Sequence, residues 1–282
     1  MNPLRQKTFT VAVLDLYEGV ENEGMRCIRD ILSRFGQEEG ISLDWKEFDV
    51  RLKQEIPDLS FDIYLSSGGP GSPLESEGSE WERRYFDWLH RVEEHNKAYP
   101  DKKSILFICH SFQLACRYFK VAEVTKRRST AFGVFPIHPL PDIQDEPLLE
   151  KMNDPFYAVD SRDFQVVNPY RDRLNELGAK ILCIEKERPH VPLERAIMAI
   201  RFNEYMAGTQ FHPEADASGM TRYLLREDKK KTVIENYGLE KWQSMIDHLN
   251  DPDKILWTNS QVIPNFLHHS IRQKLVFQET GN

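Results

Sequence analysis

Short apolar runs alternating with helix-patterned segments constrain this chain more than any other feature of its sequence. Thr8-Phe9-Thr10-Val11-Ala12-Val13-Leu14-Asp15 has the pattern of a buried strand, and residues 23–34 place Met25, Ile28, Ile31 and Leu32 at helical spacing. Ile41-Ser42-Leu43-Asp44-Trp45 and Phe61-Asp62-Ile63-Tyr64-Leu65 are further short runs bounded by turn formers. Residues 77–98 form a long charged helix with Trp81, Tyr85, Trp88, Leu89 and Val92 along one stripe; residues 104–108 then read as a strand and 112–118 as a helix directly behind it. Strands alternating with helices predict an α/β fold in three layers, a central mostly parallel sheet covered by helices on both faces.

Further along, residues 131–141 and 156–167 hold short apolar segments with several prolines and read as hairpins or bulged edge strands. Residues 193–202 and 205–211 predict two antiparallel strands joined at Asn203-Glu204. After Gly219 the pattern turns helical, with Leu224, Leu225, Val233, Ile234, Trp242, Met245, Ile246 and Leu249 in stripes. The expected organisation is therefore a sheet domain over residues 1–216 and a helical C-terminal extension over 217–282 packed on it. Trp242, Met245, Ile246 and Trp257 are expected to pack against the sheet or to cover a partner surface, including that of a homo-oligomer.

The 282 residues are 40% hydrophobic and 11% aromatic, enough apolar side chain to offset the entropy of ordering the chain. With 45 acidic and 37 basic residues the net charge is -8, which argues against nucleic acid as a partner, since that affinity rests on cationic side chains releasing counterions. The longest apolar run, Ile105-Leu106-Phe107-Ile108-Cys109, is far short of the roughly 20 residues of a membrane span. The first residues lack the apolar stretch of a signal peptide, so the expected location is cytoplasmic. The four cysteines, Cys27, Cys109, Cys116 and Cys183, are scattered without CxxC spacing; they predict free thiols and neither a disulfide framework nor a metal site.

Three segments carry candidate chemistry. Cys109 stands between a predicted strand and a predicted helix, where open α/β sheets place reactive groups and where the helix start favours a thiolate; taken alone, it reads at least as well as one more buried cysteine at the end of an apolar strand. Ser66-Ser67-Gly68-Gly69-Pro70-Gly71-Ser72-Pro73 follows another strand, and its glycines allow close backbone approach so that N–H groups can face a developing oxyanion; a tight surface turn explains the run equally well. Phe211-His212-Pro213-Glu214 closes the last apolar strand, and residues two apart in an extended segment face one side, so Glu214 can orient the His212 ring as a base requires; taken singly, a His and a Glu on a loop are more often ordinary surface residues.

Taken together and in order, Gly68-Gly69-Pro70-Gly71-Ser72, Cys109-His110-Ser111-Phe112-Gln113 and Gln210-Phe211-His212-Pro213-Glu214 resemble the three signatures of class I (triad-type) glutamine amidotransferases, and among them stand-alone proteins similar to the glutaminase domain of GMP synthase. The resemblance spans residues 9–216 and implies a flavodoxin-like fold. It implies Cys109 as the nucleophile on the glutamine side-chain amide, His212 as its base and Glu214 as the orienting carboxylate, with a glutamyl thioester as intermediate. It further implies an oxyanion hole at Gly68, Gly69 and His110, a substrate contact at Gln113, and a segment meeting the amino-acid end of the substrate at Ser161, Asp163 and Phe164. No cofactor is implied. No GxxxxGK[ST] run is present, so the ammonia acceptor falls to a separate synthetase subunit.

The chain departs from the family pattern at Phe107 and Ser111, where glycines usually flank the nucleophile, and at Arg162, where histidine is common. Phe107 requires that the neighbouring helix or strand stand further off, and Arg162 would add a positive charge near the substrate's carboxylate end. These departures keep two alternatives open: a hydrolase of γ-glutamyl amides or peptides using the same triad, and a non-catalytic binding module that retains the fold.

Overall fold

The computed structural model describes residues 8–280 apart from 144, 191 and 250. Strands β1 (Thr8–Asp15), β3 (Ile63–Ser66) and β4 (Ser104–Ile108) are near-continuous apolar runs, which is what a parallel strand buried on both faces requires. They join β2 (Ser42–Asp49), β5 (Ala122–Pro139), β6 (Phe156–Pro169), β7 (Lys180–Glu185), β8 (Ile197–Asn203) and β9 (Met206–Thr209) in one nine-stranded sheet of order β2-β1-β3-β4-β9-β8-β7-β5-β6. From β2 to β9 neighbouring strands run parallel, and from β9 to β6 they run antiparallel. In the parallel half α1 (Gly24–Glu39) and α2 (Glu80–Ala98) carry the chain from β1 to β2 and from β3 to β4, and in the antiparallel half the turn Glu204-Tyr205 joins β8 to β9.

Helices cover both faces. On one side α1 (Gly24–Glu39) buries Met25, Ile28, Ile31, Leu32 and Phe35, and it ends at Gly40, whose φ of 64° and N–H bond to the Gly36 carbonyl close the last turn. On the other side α2 (Glu80–Ala98) and α3 (His110–Phe119) bury Tyr85, Trp88, Leu89, Phe112 and Leu114 against the sheet. A short helix, α4 (Arg171–Leu177), follows β6, and four more complete the chain: α5 (Ala217–Leu225), α6 (Glu227–Tyr237), α7 (Leu239–Leu249) and α8 (Trp257–Thr280). No helix among the described residues is long and apolar enough to cross a membrane.

The C-terminal helices divide into two groups by what they cover. Val262, Ile263, Phe266 and Leu267 of α8 are buried in the same cluster as the apolar face of α1, each contributing about 1.5–3 kcal/mol of burial. The far end of α8 is held by Lys274, whose ammonium pairs with Asp62 at 3.1 Å and with Asp101. By contrast, α5, α6 and α7 form a smaller cluster around Met220, Leu224, Val233, Met245 and Leu249 that packs on Val159 of β6. Trp242 and Ile246 flank that cluster, whereas Leu225 faces outward and Trp257 is partly exposed, its indole N–H donating to the Lys151 carbonyl at 3.2 Å.

Glu23 ties α1 to α5. Its carboxylate accepts from Arg222 at 2.7 and 2.8 Å and from Arg26 at 2.5 Å, and Arg26 reaches on to Asp216 at 2.8 Å. The Arg222 guanidinium, reinforced by Arg26 against partial burial, holds the Glu23 carboxyl down at about 2. A carboxyl whose pKa is depressed on folding stabilises above its unfolded value of about 4.3 and loses that contribution as pH falls through the folded value. Glu23→Gln is therefore expected to lower Tm at pH 7, with the gap from the unaltered protein closing between about pH 4 and pH 2. A gap that does not change with pH would contradict this coupling.

Candidate active site

Parallel strands that are neighbours in a sheet deliver their carboxyl ends to one edge, and β3, β4 and β9 lie side by side. Gly68, Cys109 and His212 each follow one of these strands, which is how groups separated by about a hundred residues meet. Cys109 occupies the turn between β4 and α3 with φ 49° and ψ -97°, a conformation that costs a residue with a side chain about 1–3 kcal/mol. Its N–H donates to the Thr209 carbonyl at 2.7 Å and its carbonyl accepts from Gln113 N–H at 3.0 Å. The thiol is 5% exposed; it donates to the Ser161 carbonyl at 3.8 Å and accepts from the Gln210 side-chain amide at 3.7 Å.

The His212 ring faces this sulfur on one side and Glu214 on the other, its Nδ1 lying 2.8 Å from Glu214 Oε1. The backbone reaches this geometry through a turn. His212 N–H pairs with the Val159 carbonyl of β6 at 2.8 Å, and Ala215 N–H returns to the His212 carbonyl at 3.3 Å, so the segment bends at Pro213-Glu214 instead of staying extended. Burial alone would drive the ring toward neutrality. The facing Cys109 sulfur and Glu214 carboxylate outweigh it and raise the imidazole pKa well above its ordinary value. Glu214 is 1% exposed, so its charge acts with little solvent screening.

Glycines make room for this cluster. A Cβ on Gly68 would come within 2.8 Å of His212 Cε1, and one on Gly69 within 2.3 Å of the Leu16 carbonyl oxygen. Arg51 clamps the same loop by donating to the Leu16 and Pro70 carbonyls at 3.2 and 2.6 Å, while Arg117 donates to the Pro73 carbonyl at 2.6 Å. The His110 ring is buried beside these two arginines; desolvation, helped by their charges, lowers its pKa to about 3 and keeps it neutral. Among the described residues no acceptor takes the N–H of Gly69 or His110, and both residues line the cavity above Cys109.

That cavity measures about 900 Å³. Cys109, His110, Gln113, Ser161, Asp163, Phe164, His212 and Glu214 line its inner part, and Phe132, Met220, Tyr223 and Val233 form an outer wall. Gly68 lies behind the His212 ring and off the wall. Asp163 accepts from the Thr130 hydroxyl at 2.5 Å, and the Phe164 carbonyl accepts from Gln113 Nε2 at 3.3 Å. Arg162 contributes less charge than its sequence position suggests. Its side chain is 1% exposed and its Nε lies 2.8 and 2.9 Å from the two oxygens of buried Asp160.

The sequence model described as "Glutamine amidotransferase class-I" matches residues 24–231, most of the chain. The chain belongs to the class-I glutamine amidotransferase family. Solved structures similar to this family member include a glutamine amidotransferase from Thermotoga maritima, 16% identical over 93% of this chain and 98% of that one, with TM-score 0.65. A glutamine amido transferase from Methylobacillus flagellatus is 13% identical over 95% and 94%, TM-score 0.60. The glutaminase domain of a Trypanosoma brucei CTPS with bound acivicin is 13% identical over 73% and 86%, TM-score 0.54. At these identities the likeness is one of fold. No curated protein sequence matches the chain.

Both departures from the family's glycine pattern have a compensating contact in this amidotransferase-family chain. Opposite Phe107 in the β4–β9 ladder stands Gly208, where an added Cβ would meet Phe112 Cδ2 at 2.7 Å and the Phe107 carbonyl at 3.2 Å. The space that a large residue takes at 107 is thus released on the neighbouring strand. Ser111 uses its hydroxyl to accept from Ile108 N–H at 2.8 Å and to donate to the Ser66 carbonyl at 2.7 Å, tying the Cys109 turn to the end of β3. Two contacts to the site carry no recognisable sequence signal. Asn259 of α8 donates to the Glu214 carbonyl at 2.7 Å, and it accepts from Arg34 at 2.9 Å. Gln210 lies within the third signature, but its contact with sulfur depends on the fold.

Gly208→Ala is expected to destabilise the protein by about 1–3 kcal/mol through overpacking against Phe107 and Phe112, as read by urea denaturation. An unchanged midpoint would show that the strand opposite Phe107 does not set the space at the turn.

Proposed function

We propose that the chain hydrolyses the side-chain amide of glutamine through a glutamyl thioester on Cys109, releasing ammonia for an acceptor handled by a separate synthetase subunit. The observation that carries this reading is the meeting of sulfur, imidazole and carboxylate at one sheet edge, with the imidazole pKa raised by both partners. The thiolate attacks the amide carbon, and the oxygen that gains charge is received by the free N–H groups of Gly69 and His110. His212, protonated and oriented by Glu214, gives its proton to the departing nitrogen, and ammonia leaves. Water then adds to the thioester carbon with His212 taking its proton; glutamate departs and the thiol chemistry resets. Gln113, Ser161, Asp163 and Phe164 are the contacts we assign to the substrate.

A second reading is favoured by the size of the cavity. Pockets that hold drug-sized ligands span about 300–1,000 Å³, and 900 Å³ lies near the top of that range. The wall formed by Phe132, Met220, Tyr223 and Val233 suits a leaving group larger than ammonia, so a γ-glutamyl amide or peptide is the alternative acyl donor.

Glutamate release from glutamine and from a γ-glutamyl anilide tests both readings. Cys109→Ala should abolish release from either. Glu214→Gln removes the negative charge that helps raise the imidazole pKa, so it should cut kcat by about 10²–10⁴ and move the basic limb of the kcat/KM profile to lower pH. Higher kcat/KM for the anilide selects the second reading. Rates in Cys109→Ala equal to those of the unaltered protein would overturn both.

A further inference from the structure

The Cys109 sulfur has a polar neighbour that the reaction above does not use. Gln210, the residue after β9, is fully buried and its Nε2 lies 3.7 Å from Cys109 Sγ. Its Oε1 accepts from Gln113 Nε2 at 3.1 Å, and Gln113 Nε2 also donates to the Phe164 carbonyl at 3.3 Å. These bonds form a directed series. A backbone carbonyl only accepts, so Phe164 sets which end of the Gln113 amide is its NH2 group. The second N–H of that group needs an acceptor, which is Gln210 Oε1, and the Gln210 NH2 group is thereby turned to the sulfur.

An amide N–H directed at sulfur discriminates between its two protonation states. A thiolate only accepts, whereas a thiol must also find an acceptor for its own proton, here the Ser161 carbonyl at 3.8 Å. Gln210 is absent from the cavity wall and meets the site through two residues that line it, Cys109 and Gln113. We infer that Gln210 is a positioning residue that holds the Cys109 sulfur as thiolate, with its orientation set by Gln113. This rests on the reading of Cys109 as nucleophile.

The other titratable groups that face the sulfur are the His212 ring, the Glu214 carboxylate behind it and the half-buried Tyr17 phenol; on the Ser161 strand the charges of Arg162 and Asp160 compensate each other. Burial pushes the Cys27 thiol up to about 12 and those of Cys116 and Cys183 well above the ordinary range, so these three serve as unreactive references in the same molecule.

The test is the pH profile of Cys109 alkylation by iodoacetamide in the full chain without substrate, read by peptide mass spectrometry. Gln210→Met keeps the length of the side chain and removes the donor. It should shift the profile upward by about one unit, so that below the midpoint Cys109 reacts about tenfold more slowly, while kcat for glutamine falls and KM stays put. Gln210→Glu should shift it at least as far. If Gln210→Met does not fold, Gln113→Met, which removes the donor that turns the Gln210 amide, should shift the substrate-free alkylation profile upward in the same way, whatever it does to KM for glutamine. An unmoved profile in a folded Gln210→Met or its Gln113→Met substitute overturns the inference, as does a shift confined to Gln210→Glu, since charge alone would then explain it. Unaltered Cys109 that reacts no faster than Cys27, Cys116 or Cys183 would defeat the proposed function and this inference with it. An activated thiol whose profile the variants leave unmoved would defeat the role of Gln210 alone.

Discussion

The backbone at Cys109 is the constraint on which the site depends. A residue with a side chain at φ 49° and ψ -97° persists only where its surroundings over-determine it. Here its N–H is bonded to β9, its carbonyl accepts from the first turn of α3, and the Ser111 hydroxyl bonds to the preceding N–H and to the carbonyl of Ser66. The turn lifts the sulfur off the sheet edge toward the end of β9, where His212 emerges.

The C-terminal helices belong to this arrangement more closely than a packed extension would. Helix α8 fills the layer beside α1 with buried aliphatic and aromatic side chains, and from there Asn259 fixes the backbone of Glu214. Helices α5 and α6 supply Met220, Tyr223 and Val233 to the outer wall of the cavity. Stability and site geometry are therefore coupled. The helices that complete the core also fix the backbone of the carboxylate that faces His212, through α8, and wall the cavity above Cys109, through α5 and α6.

Much of this was legible in the sequence. The runs that became β1, β3 and β4, the helix stripes of α1 and α2, and the antiparallel pair β8–β9 all show in hydrophobic period, because each element buries its own face. Cys109, His212 and Glu214 could be singled out because each stands where an apolar strand ends. What stayed hidden depends on which strand lies beside which. Gly208 relieves Phe107 only through the register of β4 with β9, and Gln210 meets sulfur 101 positions away. Arg162 reads as a charge offered to substrate until Asp160, two residues back on the same strand, is seen to neutralise it below the surface. The bend at Pro213-Glu214 was equally hidden, since the bridge that fixes where His212 ends its extended run comes from Val159 on a distant strand.

The proposed reaction turns on a covalent role for one sulfur. Rapid acid quenching of the protein during turnover with glutamine, followed by peptide mass spectrometry, reads that role directly. A glutamyl group should be found on the peptide containing Cys109 and on no other cysteine peptide, and it should accumulate further when glutamate release is slowed at low pH. Sustained turnover with no adduct on Cys109, or with the adduct on Cys27, Cys116 or Cys183, would contradict it.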